Sequence, residues 1–160
     1  MSVSVQREDF DIAAEMARLT EAGSGSAADI GAVVSFTGLV RGATEEGPID
    51  GMELEHYPGM TERALEAIVA EARARWPLEA VRVIHRHGPL APGERIVLVL
   101  TASRHRGAAF EAAEFLIDYL KTRAPFWKKE AHAGGARWVD ARDSDDGAAR
   151  RWTPRPARRA

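Results

Sequence analysis

Residues 95–101 read Arg-Ile-Val-Leu-Val-Leu-Thr, a short, β-branched and continuously apolar run. A strand with one face in water alternates apolar and polar side chains. A strand apolar throughout is buried on both faces and needs a layer on each side of its sheet. Amphipathic segments can supply those layers. Residues 61–76 place Ala64, Leu65, Ile68, Val69 and Ala72 on one helical face, with Thr61 at the start and Pro77 just beyond the end. Residues 107–121 carry Ala109, Ala113, Leu116 and Leu120 at 4-3-4 spacing, with Pro125 at or beyond the end. An earlier helix, capped by Asp9 or Asp11, follows with Ile12, Met16 and Leu19. Further strands are expected at 3–6, 31–37, 52–57, 81–86 and 136–141. Strands and helices interleave, yet Gly88-Pro89 and Pro92-Gly93 also punctuate a hairpin-like turn. The order fits an α/β (α+β) fold with helices packed on a central sheet.

The remaining segments read as connections. Residues 23–28 are small and offer little to bury. Residues 42–51 hold three glycines, a proline and several acids, and are expected to be an exposed, mobile loop. Residues 153–160 are expected to be a disordered basic tail, leaving 1–152 as a single domain. No run approaches a membrane span and the first ten residues lack a signal-peptide core, so a cytoplasmic protein is expected.

Composition narrows the chemistry. The 160 residues contain no cysteine, which excludes disulfides, thiolate metal sites and a cysteine nucleophile. The net charge is -2, against a nucleic-acid-coating role. That charge is uneven: residues 1–120 balance at -8 and residues 121–160 at +6. Of 22 basic residues only Lys121, Lys128 and Lys129 are lysine, all within KTRAPFWKKE (121–130). A desolvated or crowded amine can lose its proton at accessible pH, whereas a guanidinium cannot. The cluster therefore suits acid–base or covalent amine chemistry, with Phe126 and Trp127 as an apolar wall. A solvated helix end explains Lys121 well and Lys128 and Lys129 less well, because Pro125 separates them from the helix.

Two further basic segments could serve an anion. Arg104-His105-Arg106-Gly107 lies between a buried strand and a helix, where unpaired N–H groups favour phosphate or carboxylate. Arg41, in Gly38-Leu39-Val40-Arg41-Gly42, sits where a strand meets the glycine-rich loop. His85 and His87 alternate on a strand, but no third ligand is evident, so no metal site is expected.

These segments together resemble the MoaE family, the large subunits of molybdopterin synthase. The resemblance runs through VVSFTGLVRG (33–42), LEHYPGMTE (54–62), RWPLEAVRVIHRHGPL (75–90), HRGAAFEA (105–112), DYLKTRAPFWKKE (118–130) and RWVDARDSD (137–145). It implies an α/β hammerhead fold with a small additional β-subdomain. It implies a central dimer, each copy binding a small ubiquitin-like, MoaD-like sulfur carrier through its C-terminal Gly-Gly. Sulfur from the carrier's thiocarboxylate would pass to cyclic pyranopterin monophosphate, in two rounds, to build the dithiolene of molybdopterin. No cofactor or metal is implied. By position, the family's catalytic lysines match Lys121 and Lys128. Its substrate-binding positions match Leu39, Val40, Arg41, His105, Arg106, Lys129, Glu130 and Arg142. Some members carry lysine where this chain has Leu39. Family pockets draw on both protomers, so His105 and Arg106 are expected to serve the neighbour's site. Two alternatives remain from the residues themselves: a non-enzymatic adaptor for a ubiquitin-like protein, and a single-stranded nucleic-acid binder stacking bases on Phe126 and Trp127.

Overall fold

The computed structural model describes residues 2–21, 27–139 and 143–153. Its elements in order are β1 (Val3–Gln6), α1 (Ile12–Glu21), β2 (Ala32–Leu39), β3 (Ala43–Thr44), β4 (Gly47–Pro48), β5 (Gly51–His56), α2 (Met60–Arg75), β6 (Leu78–Arg86), β7 (Gly88–Leu90), β8 (Arg95–Ser103), α3 (Arg106–Arg123), β9 (Phe126–His132), β10 (Gly135–Val139) and α4 (Asp143–Arg150).

The apolar run becomes β8, in the centre of a four-stranded sheet ordered β1-β6-β8-β2. Its odd-numbered and even-numbered side chains enter different cores. Val99 packs with Leu65, Ile68, Phe115 and Leu116 beneath α2 and α3. Leu98, Leu100 and Ala102 pack with Phe10, Leu19 and Ile84 beneath α1. The expectation of a doubly covered strand therefore holds. β8 runs antiparallel to both neighbours, and β1 lies parallel to β6. The α1 layer is pinned by Asp11, whose carboxylate accepts the Ala14 N–H at 3.0 Å. Asp9 turns instead to Arg95, whose guanidinium holds its carboxyl down to about 2. On the same side Arg82 meets the buried Glu15 at 2.8 Å.

A second sheet, β10-β9-β5-β7, is wholly antiparallel and matches the small β-subdomain implied by the resemblance. Its inner face supplies Met52 and Leu54 to a third core with Val40 and Leu90. Residues 42–51, expected to be loose, instead form the β3–β4 hairpin, which is bonded to the sheet through the Asp50 N–H to the Ala131 carbonyl at 2.8 Å. β9, α4 and the short β7 are likewise elements that the sequence pattern does not predict. Most of the 23–28 connection and the tail beyond residue 153 lie outside the described residues. Among those described, no helix is long and apolar enough to cross a membrane.

One buried hydroxyl fixes where β9 begins. Thr61, at the start of α2, is fully buried. It accepts the Tyr57 N–H at 2.9 Å and donates to the Pro125 carbonyl at 3.1 Å. Gly59 allows the tight approach to α2 with φ +79°, and Glu62 takes its N–H at 2.7 Å. Replacing Thr61 with valine keeps the shape and strands both backbone groups. A loss of about 1–3 kcal/mol in urea unfolding is expected; an unchanged midpoint would show that the hydroxyl bridges nothing of consequence.

Candidate active site

A cavity of about 570 Å³ opens between the two sheets and the C-terminal end of α3. Its apolar walls come from Phe36 on β2, Val97 on β8, Leu54 on β5, Ile117 and Leu120 on α3, and Phe126 on β9. Gly38 lets β2 pass close to β8, since a Cβ there would lie 2.6 Å from Val97 Cγ1. The ladder shifts register at the next residue, Leu39, which is exposed on the rim.

Three cations reach this space from three elements. Arg41 follows β2 and makes no hydrogen bond or ion pair among the described residues. Lys121 stands in the last turn of α3, where the negative end of the helix dipole favours a cation. Its Nζ lies 3.5 Å from Asp145 Oδ1 of α4. Lys128 projects from β9, its Nζ 3.1 Å from Glu130 Oε1. Residues two apart on a strand share a face, so Phe126, Lys128 and Glu130 all look inward. Two ammonium groups, each beside one carboxylate, thus share a largely apolar cavity with the Arg41 guanidinium. Such a place can hold an anion, stabilise charge that develops on a reacting carbonyl or sulfur, and move protons.

His85 forms part of the wall. Its ring stacks on Phe126 at 3.8 Å between centroids, and its Nδ1 lies 2.9 Å from the Arg86 carbonyl. Burial pushes its pKa down to about 4, with His87 and His56 adding repulsion. It is therefore a neutral wall of the cavity in which Nδ1 carries the proton.

The sequence model described as "MoaE protein" matches residues 5–123. The chain belongs to the MoaE family. It is 58% identical to the molybdopterin synthase catalytic subunit of Mesorhizobium japonicum, over 94% of this chain and 92% of that protein. It is 55% identical to that of Cereibacter sphaeroides, over 95% and 100% respectively. Among solved structures, the MoaE protein of Burkholderia ambifaria superposes with a TM-score of 0.79 at 51% identity, covering 94% of this chain and 97% of that one. The molybdopterin synthase of Staphylococcus aureus gives 0.75 at 34% identity, covering 85% and 95%. Membership carries the activity of a sulfurtransferase in molybdenum cofactor biosynthesis.

The structure distributes the positions carried over from the MoaE family unevenly. Leu39, Arg41, Lys121, Lys128 and Glu130 line the cavity. Val40 is instead a core residue, 2% exposed. Lys129 points to the other face of β9, its Nζ over the Trp138 ring at 5.5 Å. Trp127 shares that outer face, so Phe126 and Trp127 do not form the joint stacking surface a nucleic-acid reading requires. His105 and Arg106 begin α3, and Lys121 ends it. At 1.5 Å per residue they stand roughly 22 Å from Lys121 along the helix. They lie exposed, one turn from the 61% exposed Phe110, while Arg104 is held by Asp29 at 2.7 Å. Arg142 lies outside the described residues. The paired histidines also part company: His87 turns to the His56 ring at 4.1 Å.

Asp145 and the wall role of His85 were missed by sequence reasoning. Asp145 lies on the unforeseen α4. His85 could be recognised only once β9 laid Phe126 against it. Because His85 holds its proton less tightly folded than unfolded, the stability it contributes is present above about pH 6.5 and is lost as pH falls toward 4. Imidazole ¹⁵N shifts should therefore report a neutral His85 down to about pH 5. A shift pattern that titrates near 6.5 would contradict this placement.

Proposed function

We propose that this cavity receives the C-terminal thiocarboxylate of a small ubiquitin-like carrier and, beside it, cyclic pyranopterin monophosphate. One observation carries the reading: Lys121 and Lys128, arriving from a helix end and a strand, face the same apolar cavity, while Lys129 does not. Both reactants are anions, and the Arg41 guanidinium, unpaired among the described residues, suits a phosphate. Lys121 polarises or protonates the reacting pterin. Lys128 stabilises the thiocarboxylate and the acyl intermediate. The carrier's sulfur displaces an oxygen substituent of the pterin side chain, so a carbon–sulfur bond forms as a carbon–oxygen bond breaks and the departing oxygen takes a proton; water then cleaves the acyl–sulfur bond, and the carrier leaves as a carboxylate. A second carrier repeats the transfer to complete the dithiolene.

A solved Helicobacter pylori structure, a protein–protein complex of subunits 1 and 2 of molybdopterin-converting factor, shares the fold at 21% identity. A two-subunit complex of this kind supports the partner proposed here. His105 and Arg106, remote from Lys121 in one chain, would complete the phosphate site of a second copy. The exposed Phe110 beside them supports burial against that copy.

Two experiments test this. In a reconstituted assay with thiocarboxylated carrier and pterin precursor, Lys121→Ala or Lys128→Ala should cut dithiolene formation by at least about 10²-fold while carrier binding persists. Near-normal turnover in both variants would sink the assignment. For the shared site, Arg106→Ala chains mixed with Lys121→Ala chains should recover roughly a quarter of wild-type activity on random pairing. Each mixed dimer then retains one intact site. No recovery would place Arg106 in its own chain's site, and full activity of Arg106→Ala alone would place it outside the chemistry.

A further inference from the structure

One half-buried group beside Glu130 takes no part in the chemistry proposed so far. His132 lies two residues beyond Glu130 on β9 and so shares its inner face. Its Nδ1 is 3.1 Å from the Pro48 carbonyl. Among the described residues its buried Nε2 has no aligned hydrogen bond, and the acidic oxygen that stands near it is Glu130 Oε2 at 3.4 Å. The other oxygen of Glu130 meets Lys128 at 3.1 Å. Glu130 itself is 3% exposed. A buried carboxylate is costly to leave unpaired, and here a basic side chain stands at each oxygen. An imidazole that donates through Nδ1 to a carbonyl presents a lone pair at Nε2 when neutral. It serves both oxygens as a donor only with both nitrogens protonated.

His132 also joins two pieces of the site. Pro48 belongs to the β3–β4 hairpin, which starts just after Arg41. That hairpin is tied to β9 at the adjacent residue by the Asp50 N–H to the Ala131 carbonyl, and its Ile49 lines the cavity. Lysine has a flexible four-carbon stem, so an ammonium is aimed only by what holds its tip.

We propose that His132 is a positioning residue for sulfur transfer. It holds the Glu130 carboxylate in the orientation that keeps the Lys128 ammonium directed into the cavity, and it couples that orientation to the hairpin behind Arg41. The inference rests on the assignment of Lys128 to the reacting centre.

Two amides separate the contacts of His132. His132→Asn keeps a donor near the position of Nδ1 and loses the approach to Glu130. His132→Gln keeps a donor near Nε2 and loses the Pro48 link. In the complete synthase with carrier and pterin precursor, His132→Asn should lower kcat on the order of tenfold and leave KM within about twofold. His132→Gln should restore most of kcat. Added to Lys128→Ala, neither change should lower the residual rate further, because both act through Lys128. If His132→Asn melts early, His132→Ala replaces it and the same kcat loss is expected relative to His132→Gln. Wild-type kcat in His132→Asn overturns the proposal. So do equal losses in the Asn and Gln variants, or a multiplied loss on the Lys128→Ala background. Full turnover by Lys128→Ala alone would instead overturn the underlying assignment of the site.

Discussion

The whole arrangement hangs on the burial of β8 from both sides. Val99 must be covered by one layer, and Leu98, Leu100 and Ala102 by another. At about 25 cal/mol per Å² of apolar surface removed from water, no rim contact competes with that drive. Covering the Val99 face sets α3 down along the sheet through Phe115, Leu116 and Leu120. Once α3 is set down, Lys121 in its last turn faces the cavity and Arg106 in its first turn stands at the far end. The distance between the two is thus a product of core packing. It is also the physical ground for proposing that a second copy completes the cavity.

The second sheet adds what the first cannot. Its β9 carries apolar, cationic and anionic side chains on one face in the order Phe126, Lys128, Glu130, His132. The aromatic ring packs on His85, the ammonium faces the cavity, and the carboxylate and imidazole stand behind it. Thr61 fixes the start of this strand and the β3–β4 hairpin braces its end. An active amine needs a neighbourhood dry enough to sharpen electrostatics and a partner that prevents the charge from wandering. For Lys128, β9 supplies one apolar wall through Phe126 and the charge partner through Glu130. The absence of cysteine fits the proposed delivery of sulfur by a partner, since the chain cannot carry sulfur as its own cysteine persulfide.

The legible parts of the sequence were those with strong periodicity. The continuous apolar run of β8 and the helical faces of α2 and α3 announced the layers, and the lysine cluster announced the cavity. β9 was hidden because Lys-Lys-Glu has poor strand propensity and Pro125 looked like a mere helix stop. Its period-two pattern matters only when 126, 128, 130 and 132 are read together. The β3–β4 hairpin was hidden because two-residue strands leave no periodic trace and draw their order from contacts remote in sequence. Val40 and Lys129 show the limit of carrying a motif over position by position. Alternate residues of an extended chain face opposite ways, so Leu39 and Arg41, like Lys128 and Glu130, reach the cavity while Val40 and Lys129 between them do not.

The proposed chemistry requires that Lys121 and Lys128, but not Lys129, face the reacting space. Amine acetylation followed by peptide mass spectrometry reads all three lysines of the chain at once. With saturating pyranopterin substrate, Lys121 and Lys128 should be protected from acetylation while Lys129 reacts at its unliganded rate. Protection of Lys129, or of none of the three, would contradict the account.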